Sequence, residues 1–194
     1  MNLRFLARVS RLARLAFVIA TVARASVAPM AAEVVAAPAL KAAFLYNFAK
    51  FSEWPADALA PRQRLSLCVM GDNFVVFALA DLIRGHVVDG HELTVEAVKP
   101  DGALRSCHLL YVSRLDEKRS VQLLDSLRST SVFTVGDGDG FAQRGGIAQL
   151  LLDGERMRFA INVTSAERAR LRLSSKLLSL AKMIIVKDED DVQR

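Results

Sequence analysis

Histidine, cysteine, tyrosine and tryptophan are scarce in this sequence: three, two, two and one among 194 residues. That scarcity excludes most recognisable site chemistry. There is no HExxH pair and no GxSxG elbow, so the usual zinc-protease and serine-hydrolase signatures are missing. LSSK (173–176) has the outline of SxxK, but Leu173 stands where the serine nucleophile would be. Two lone cysteines lack the CxxC clustering that zinc needs. His86 and His91 share one loop and His108 opens a strand. The first two could share a metal only in a loop folded around it, and ordinary loop and packing roles are the simpler reading. GDGDG (136–140) fails as a calcium loop, because Ala148 occupies the twelfth position from Asp137, where a glutamate ligand belongs. It also fails as a phosphate loop: no Gly-Lys-Ser/Thr follows, and Gln143 replaces the third glycine of GxGxxG. It reads as a solvated turn. No catalytic residue, metal ligand or cofactor is assigned, and the residues describe a non-enzymatic domain.

Acidic residues are absent from the first 25 positions, which carry Arg4, Arg8, Arg11, Arg14 and Arg24. A short apolar run, LAFVIATVA (15–23), follows the first four arginines, and ARA (23–25) offers small residues before a cut. This is the order of a secretory signal peptide, and the run is too short for a spanning helix. The expectation is export with cleavage after Ala25 or Ala32; a membrane-anchoring N-terminus is the alternative. The formal charge of +5 resides in this segment: it holds five of the 26 basic residues and none of the 21 acidic ones, so the remainder is balanced. No global charge is left to argue for nucleic acid. Export leaves Cys68 and Cys107 in an oxidising compartment, which permits a disulfide, with two buried thiols as the alternative.

Along the chain, residues 26–40 are rich in alanine and proline and read as a flexible mature N-terminus. KAAFLYNFAKFSEWP (41–55) then gathers Phe44, Tyr46, Phe48, Phe51 and Trp54, five of the thirteen aromatics. Phe44, Phe48 and Phe51 share one helical face, and Pro55 ends the helix at Trp54. Strands are expected at 65–70, 92–98, 108–112 and 132–135, with helices at 73–84, capped by Asp72, and 117–129. A hairpin turning at Asp153-Gly154 follows the glycine-rich loop 136–146. The last helix, 166–183, starts from a Ser165 cap. On a helical wheel it puts Arg168, Arg172, Ser175, Lys176, Ser179 and Lys182 on one face, and Leu171, Leu173, Leu177, Leu178, Leu180 and Ala181 on the other. Residues 187–194 form a charged tail. The alternation predicts an α/β fold: a mostly parallel sheet flanked by helices, with a C-terminal antiparallel hairpin.

Several stretches together resemble one family. They are KAAFLYNFAKFSEWP, CHLLYVS (107–113), and the run from FTVGDGDGFAQRGG through FAINV to LSSKLLSLA (133–181). The resemblance, over residues 41–186, is to YfiR-like periplasmic regulators. It implies a protein that restrains an inner-membrane diguanylate cyclase through that enzyme's periplasmic domain, lowering cyclic di-GMP and biofilm formation. It implies no stable membrane insertion and leaves a homodimer open. It also pairs Cys68 with Cys107, at positions associated with redox-sensitive stability; the second, later pair of some members is missing here. Tyr46 and Trp54, off the phenylalanine stripe, and Arg168 and Arg172, on the last helix, are candidate partner contacts. The alternative function is a small-solute-binding accessory of a transporter or sensor.

Overall fold

A computed structural model describes residues 30–113 and 115–186, with side chains from Ala37 onward. The expected signal segment 1–25 and the expected charged tail 187–194 lie outside the described residues.

Helix α1 (Met30–Lys50) is longer at its start than expected and shorter at its end. Positions 30–40, read as a loose segment, are helical; alanine, the strongest helix former, fills five of these eleven. The buried stripe is Ala42, Leu45, Phe48 and Ala49, at helical spacing. Phe48 stacks on Phe133 with ring centroids 5.6 Å apart and meets Phe159 edge-on at 5.2 Å. Phe44 and Phe51 are only half-buried, at the margin of this core. The helix stops four residues before Trp54 because β1 (Ser52–Glu53) is drawn into an antiparallel pair with a strand near the C-terminus.

Next come β2 (Leu65–Met70), α2 (Asn73–Leu82), β3 (Val87–Val88), β4 (His91–Ala97) and a single 3-10 turn (Leu104–Ser106). They are followed by β5 (Leu109–Val112), α3 (Glu117–Leu127), β6 (Phe133–Gly136), β7 (Ala148–Asp153) and β8 (Arg156–Asn162). Asp72 caps α2 by accepting from the Phe74 and Val75 amides, as its position suggested, and Asp116 caps α3. Then come α4 (Val163–Arg168), β9 (Arg172–Leu173), α5 (Ser175–Leu180) and β10 (Met183–Ile185). The main sheet has eight strands in the order β10-β8-β7-β6-β5-β2-β4-β3. All neighbours run parallel except the β7–β8 hairpin and the β3–β4 edge.

Strand alternation divides the interior in two. Leu65, Leu67, Val69, Leu109, Tyr111, Phe133, Val135, Phe159 and Ile161 point to the larger core, which takes its helical cover from α1, α2, α4 and α5. Cys68, Met70, Leu110 and Val112 point to the smaller one, under α3 and Phe141. Phe141 is only 2% exposed. It fits because Gly136 and Gly146 flank it: a Cβ on either would lie within 2.5 Å of its ring.

The single last helix expected over 166–183 is instead two short helices with β9 between them. Arg170 adopts a left-handed conformation (φ 59°). The amide of Leu171 bonds the Ala166 carbonyl at 2.9 Å and that of Arg170 bonds Glu167 at 2.8 Å, which together make a Schellman ending. The break lets Leu171 be buried and lets Ser174 donate to the Phe51 carbonyl at 3.0 Å. The basic stripe of the helical wheel therefore does not exist: Arg168 ends α4, Arg172 lies on β9 and Lys176 on α5. The wheel's apolar side is split as well. Leu177 is 2% exposed, whereas Leu180 is 60% exposed. Leu177→Asp should therefore cost about 4 kcal/mol or more and abolish the near-ultraviolet circular dichroism of the native state. Leu180→Asp should stay within about 0.5 kcal/mol of the parent in a urea titration.

Candidate functional site

The strand order reverses between β2 and β5. From β2 the chain crosses by α2 to β4 on one side; from β5 it crosses by α3 to β6 on the other. In open α/β sheets the crevice beyond the strand ends at such a reversal is where function collects. Here Asp72 follows β2, Ser113 follows β5 and Asp137 follows β6, and Lys41 reaches in from α1.

Asp137 is the centre. Its Oδ2 accepts from Lys41 Nζ at 2.8 Å, from the Tyr111 hydroxyl at 2.7 Å and from the Ser113 hydroxyl at 3.0 Å. Lys41 Nζ also lies 3.7 Å from Asp72 Oδ2 and 5.5 Å from the centre of the Tyr111 ring. Burial alone would raise the Asp137 carboxyl; the hydrogen bonds from Lys41 and Tyr111 outweigh it and hold the group below its ordinary value. Burial would likewise lower the Lys41 ammonium, but its bonds with Asp137 and Tyr111 push it up. Tyr111 is pushed up to about 12 by burial and by the Asp137 charge. Lys41 and Tyr111 thus hold their protons through neutral pH and Asp137 stays ionised. General acid–base work needs a group tuned towards neutrality, and this cluster moves its groups the other way. It is an electrostatic clamp joining α1 to the ends of β5 and β6.

On the opposite face of the sheet, Cys68 of β2 and Cys107, just before β5, form a disulfide with Cα atoms 5.8 Å apart. Both cysteines are buried, under α3. Of the two cysteine readings, the bridge is the one the structure contains.

The histidines are spread by the fold. His108 bridges two segments: its Nδ1 accepts from the Ser66 amide at 3.0 Å, which leaves the proton on Nε2, 3.1 Å from the Ala58 carbonyl. Burial lowers its pKa, so it is neutral at pH 7. Trp54 is half-buried and donates its indole N–H to the His108 carbonyl at 3.1 Å. Tyr46 is half-buried with its ring edge-on to His86, centroids 5.4 Å apart. Arg172 is exposed, 3.8 Å from Glu53. Arg168 is exposed at the end of α4. Of the four candidate partner contacts, Tyr46 lies on α1 and Arg168 at the end of α4, while Trp54 follows β1, whose Glu53 pairs with Arg172 of β9.

Sequence reasoning missed the clamp. The signal was present in two pieces: Lys41 opens the aromatic stretch, and Asp137 is the first residue after a buried strand. Nothing in a linear reading joins residues 96 positions apart.

A family model described as YfiR/HmsC-like matches residues 38–182. No curated protein matches the chain. Among solved structures, a conserved domain protein from Vibrio cholerae O1 biovar El Tor is 13% identical, with 62% of this chain and 55% of that one covered, at a TM-score of 0.46. The ABC domain in complex with L-Trp from Streptococcus pneumoniae is 12% identical, with 67% and 58% covered, at 0.43. The aligned region thus spans little more than half the length of each.

Two outcomes test the clamp and the bridge. Lys41→Met leaves Asp137 buried without its cation and should cost about 3 kcal/mol, the low end for a broken buried pair because some solvent reaches both groups. The sign of the pH dependence follows from the shifts. A lowered Asp137 contributes stability that is present above the ordinary carboxylate value of 3.8 and is lost as pH falls through the folded one. A raised Tyr111 contributes stability that is present below 10.0 and lost as pH rises towards about 12. In Lys41→Met the loss of stability should be largest near neutral pH and shrink as pH falls, because burial then raises the Asp137 carboxyl and protonating it removes the unpaired charge. Reduction, or Cys68→Ala with Cys107→Ala, opens a 39-residue separation. Loop-closure entropy puts the loss near 4 kcal/mol, or roughly 8–16 °C in melting temperature for a chain of this size. Thiol labelling of denatured, unreduced protein should find no reactive cysteine.

Proposed function

Because the chain belongs to the YfiR/HmsC-like family, we propose that it is a periplasmic regulatory binding protein that restrains an inner-membrane diguanylate cyclase, lowering cyclic di-GMP and holding back biofilm formation. The observation that carries this reading is the family match over residues 38–182. That span contains every strand of the main sheet except the last, β10. Three features support it. The N-terminal segment has the composition of an export signal. A buried disulfide suits an oxidising compartment. The group best placed for chemistry is a clamp whose ionisable members are locked.

A regulator of this kind works by differential affinity: it binds the inactive arrangement of the partner's periplasmic domain more tightly than the active one. Moving the partner from almost all active to almost all inactive needs about 5.5 kcal/mol of that difference. The contact surface we propose is the outer side of α2, where Phe74 and Phe77 are each 72% exposed. An exposed phenylalanine pair one helical turn apart is the kind of apolar feature that marks contact sites. Tyr46, against His86 just beyond α2, extends it. Trp54 and Arg172 are proposed as secondary contacts.

Crosslinking in intact cells followed by mass spectrometry should recover a membrane cyclase. Phe74→Ser with Phe77→Ser should abolish that crosslink and leave the melting temperature within about 2 °C, since surface changes rarely move stability further. Deleting the gene should raise cyclic di-GMP, and removing the crosslinked cyclase should reverse the rise. An unchanged nucleotide level where the protein is abundant would overturn the reading.

A further inference from the structure

A second feature lies away from the clamp and from α2. Between the C-terminal end of α3, the glycine-rich loop and the start of α4 is a groove of about 260 Å³. Arg128, Arg144 and Arg168 line it, against a single acidic residue, Asp125. Asp125 is spent on Arg128, 2.6 Å away. Arg168 makes no ion pair or hydrogen bond among the described residues. Arg144 is held in place: it donates to the Asp139 carbonyl, and its Nη1 stands 3.8 Å from Glu117. Its Nε is buried with no acceptor. A native chain rarely keeps such a donor, because leaving it unpaired costs about 1–3 kcal/mol. The glycine-rich loop is shaped around this side chain. Gly140 has φ +68°, and a Cβ there would lie 2.6 Å from Arg144 Nη1. The loop has no phosphate-binding motif of its own, yet it cradles an arginine at the wall of a groove.

We infer that this groove binds a small anionic solute, a phosphomonoester or a short dicarboxylate, held by Arg144 and Arg168 with Arg128 at the rim. A guanidinium presents a planar fork of donors that fits either oxyanion with two parallel bonds. The groove is smaller than the 300–1,000 Å³ typical of drug-sized ligands, which sets the size class. The Asn162 amide is already committed. Asn162 donates to the Ala142 carbonyl at 2.7 Å and accepts from the Ser165 amide at 2.9 Å, so the charged grip falls to the arginines, beside Gln143. The site is independent of the regulatory reading and adds a means for a solute to tie the glycine-rich loop to α4.

Isothermal titration of the purified protein with glycerol 3-phosphate, succinate and neutral glycerol, at constant ionic strength, tests it. The expected result is saturable binding of at least one anion and none of glycerol; the preferred anion identifies the ligand class. Arg168→Gln, on an exposed residue, should weaken binding tenfold or more with the near-ultraviolet spectrum unchanged. Arg144→Gln should do the same, and Arg84→Gln, outside the groove, should bind as the parent. The inference is overturned if neither anion binds at about 10 mM, where even a millimolar site would be mostly filled. It is overturned equally if Arg168→Gln binds with parental affinity.

Discussion

One carboxylate oxygen, Asp137 Oδ2, receives three donors from two other parts of the chain, α1 and the end of β5. Taking a carboxylate and an ammonium out of water costs several kcal/mol each, and a lone pair at this depth would not recover it. The Tyr111 and Ser113 hydroxyls close the gap by filling the remaining acceptor positions of the same oxygen. The cluster is therefore cooperative: its members are favourable together and costly apart. What it fixes is the angle and register of α1. With Lys41 pinned at the strand ends, Leu45 and Phe48 fall one and two turns further along the same helix, over Phe133 and Phe159. The larger core is assembled on that placement.

The β2–β5 seam is secured independently on both faces. On one side lie the clamp residues at the strand ends; on the other lies the Cys68–Cys107 bridge under α3. Between them His108 accepts from the Ser66 amide and its own carbonyl holds the Trp54 indole. This seam is also the topological reversal, where an α/β enzyme would place its reacting groups. In this chain the same crevice is filled with mutually satisfied charges. A frame stiffened there suits a protein that acts by presenting surfaces. It also makes the disulfide the one part of the frame that a change in redox conditions can remove without altering the sequence.

Local periodicity revealed most of the fold. LSLCVM alternates onto two buried faces, Asp72 caps a helix, and Asp153-Gly154 turns a hairpin; each signal is complete within a few residues. The long last helix failed because its pattern is helical only by count. Arg170 has no intrinsic reason to be left-handed. It is made so by tertiary demands at a distance: the burial of Leu171 and the pairing of β9 with β1. The same dependence hid the clamp. The aromatic stretch 41–55 stood out by composition, and its phenylalanines do pack. Its first residue, the one that positions the helix, is a lysine whose partner lies across the molecule.

Absent motifs exclude less than they seem to. GDGDG was set aside because no lysine or third glycine followed, and that argument removes only ligands held by the loop's own backbone. It is silent on a side chain that the loop holds in place, and Gly140 leaves room for one. Net charge misleads in the same way. Beyond residue 25 the basic and acidic residues balance, yet ion pairing is local. Asp57 engages Arg170, Asp153 engages Lys182 and Asp125 engages Arg128, all at contact distance, whereas Arg168 pairs with no acid among the described residues. A neutral sum is compatible with a positive groove whenever the acids are spent elsewhere. In the groove where α3, the glycine-rich loop and α4 converge, Arg128 and Arg144 each face one acid, Asp125 and Glu117, and Arg168 is the cation left over among the described residues.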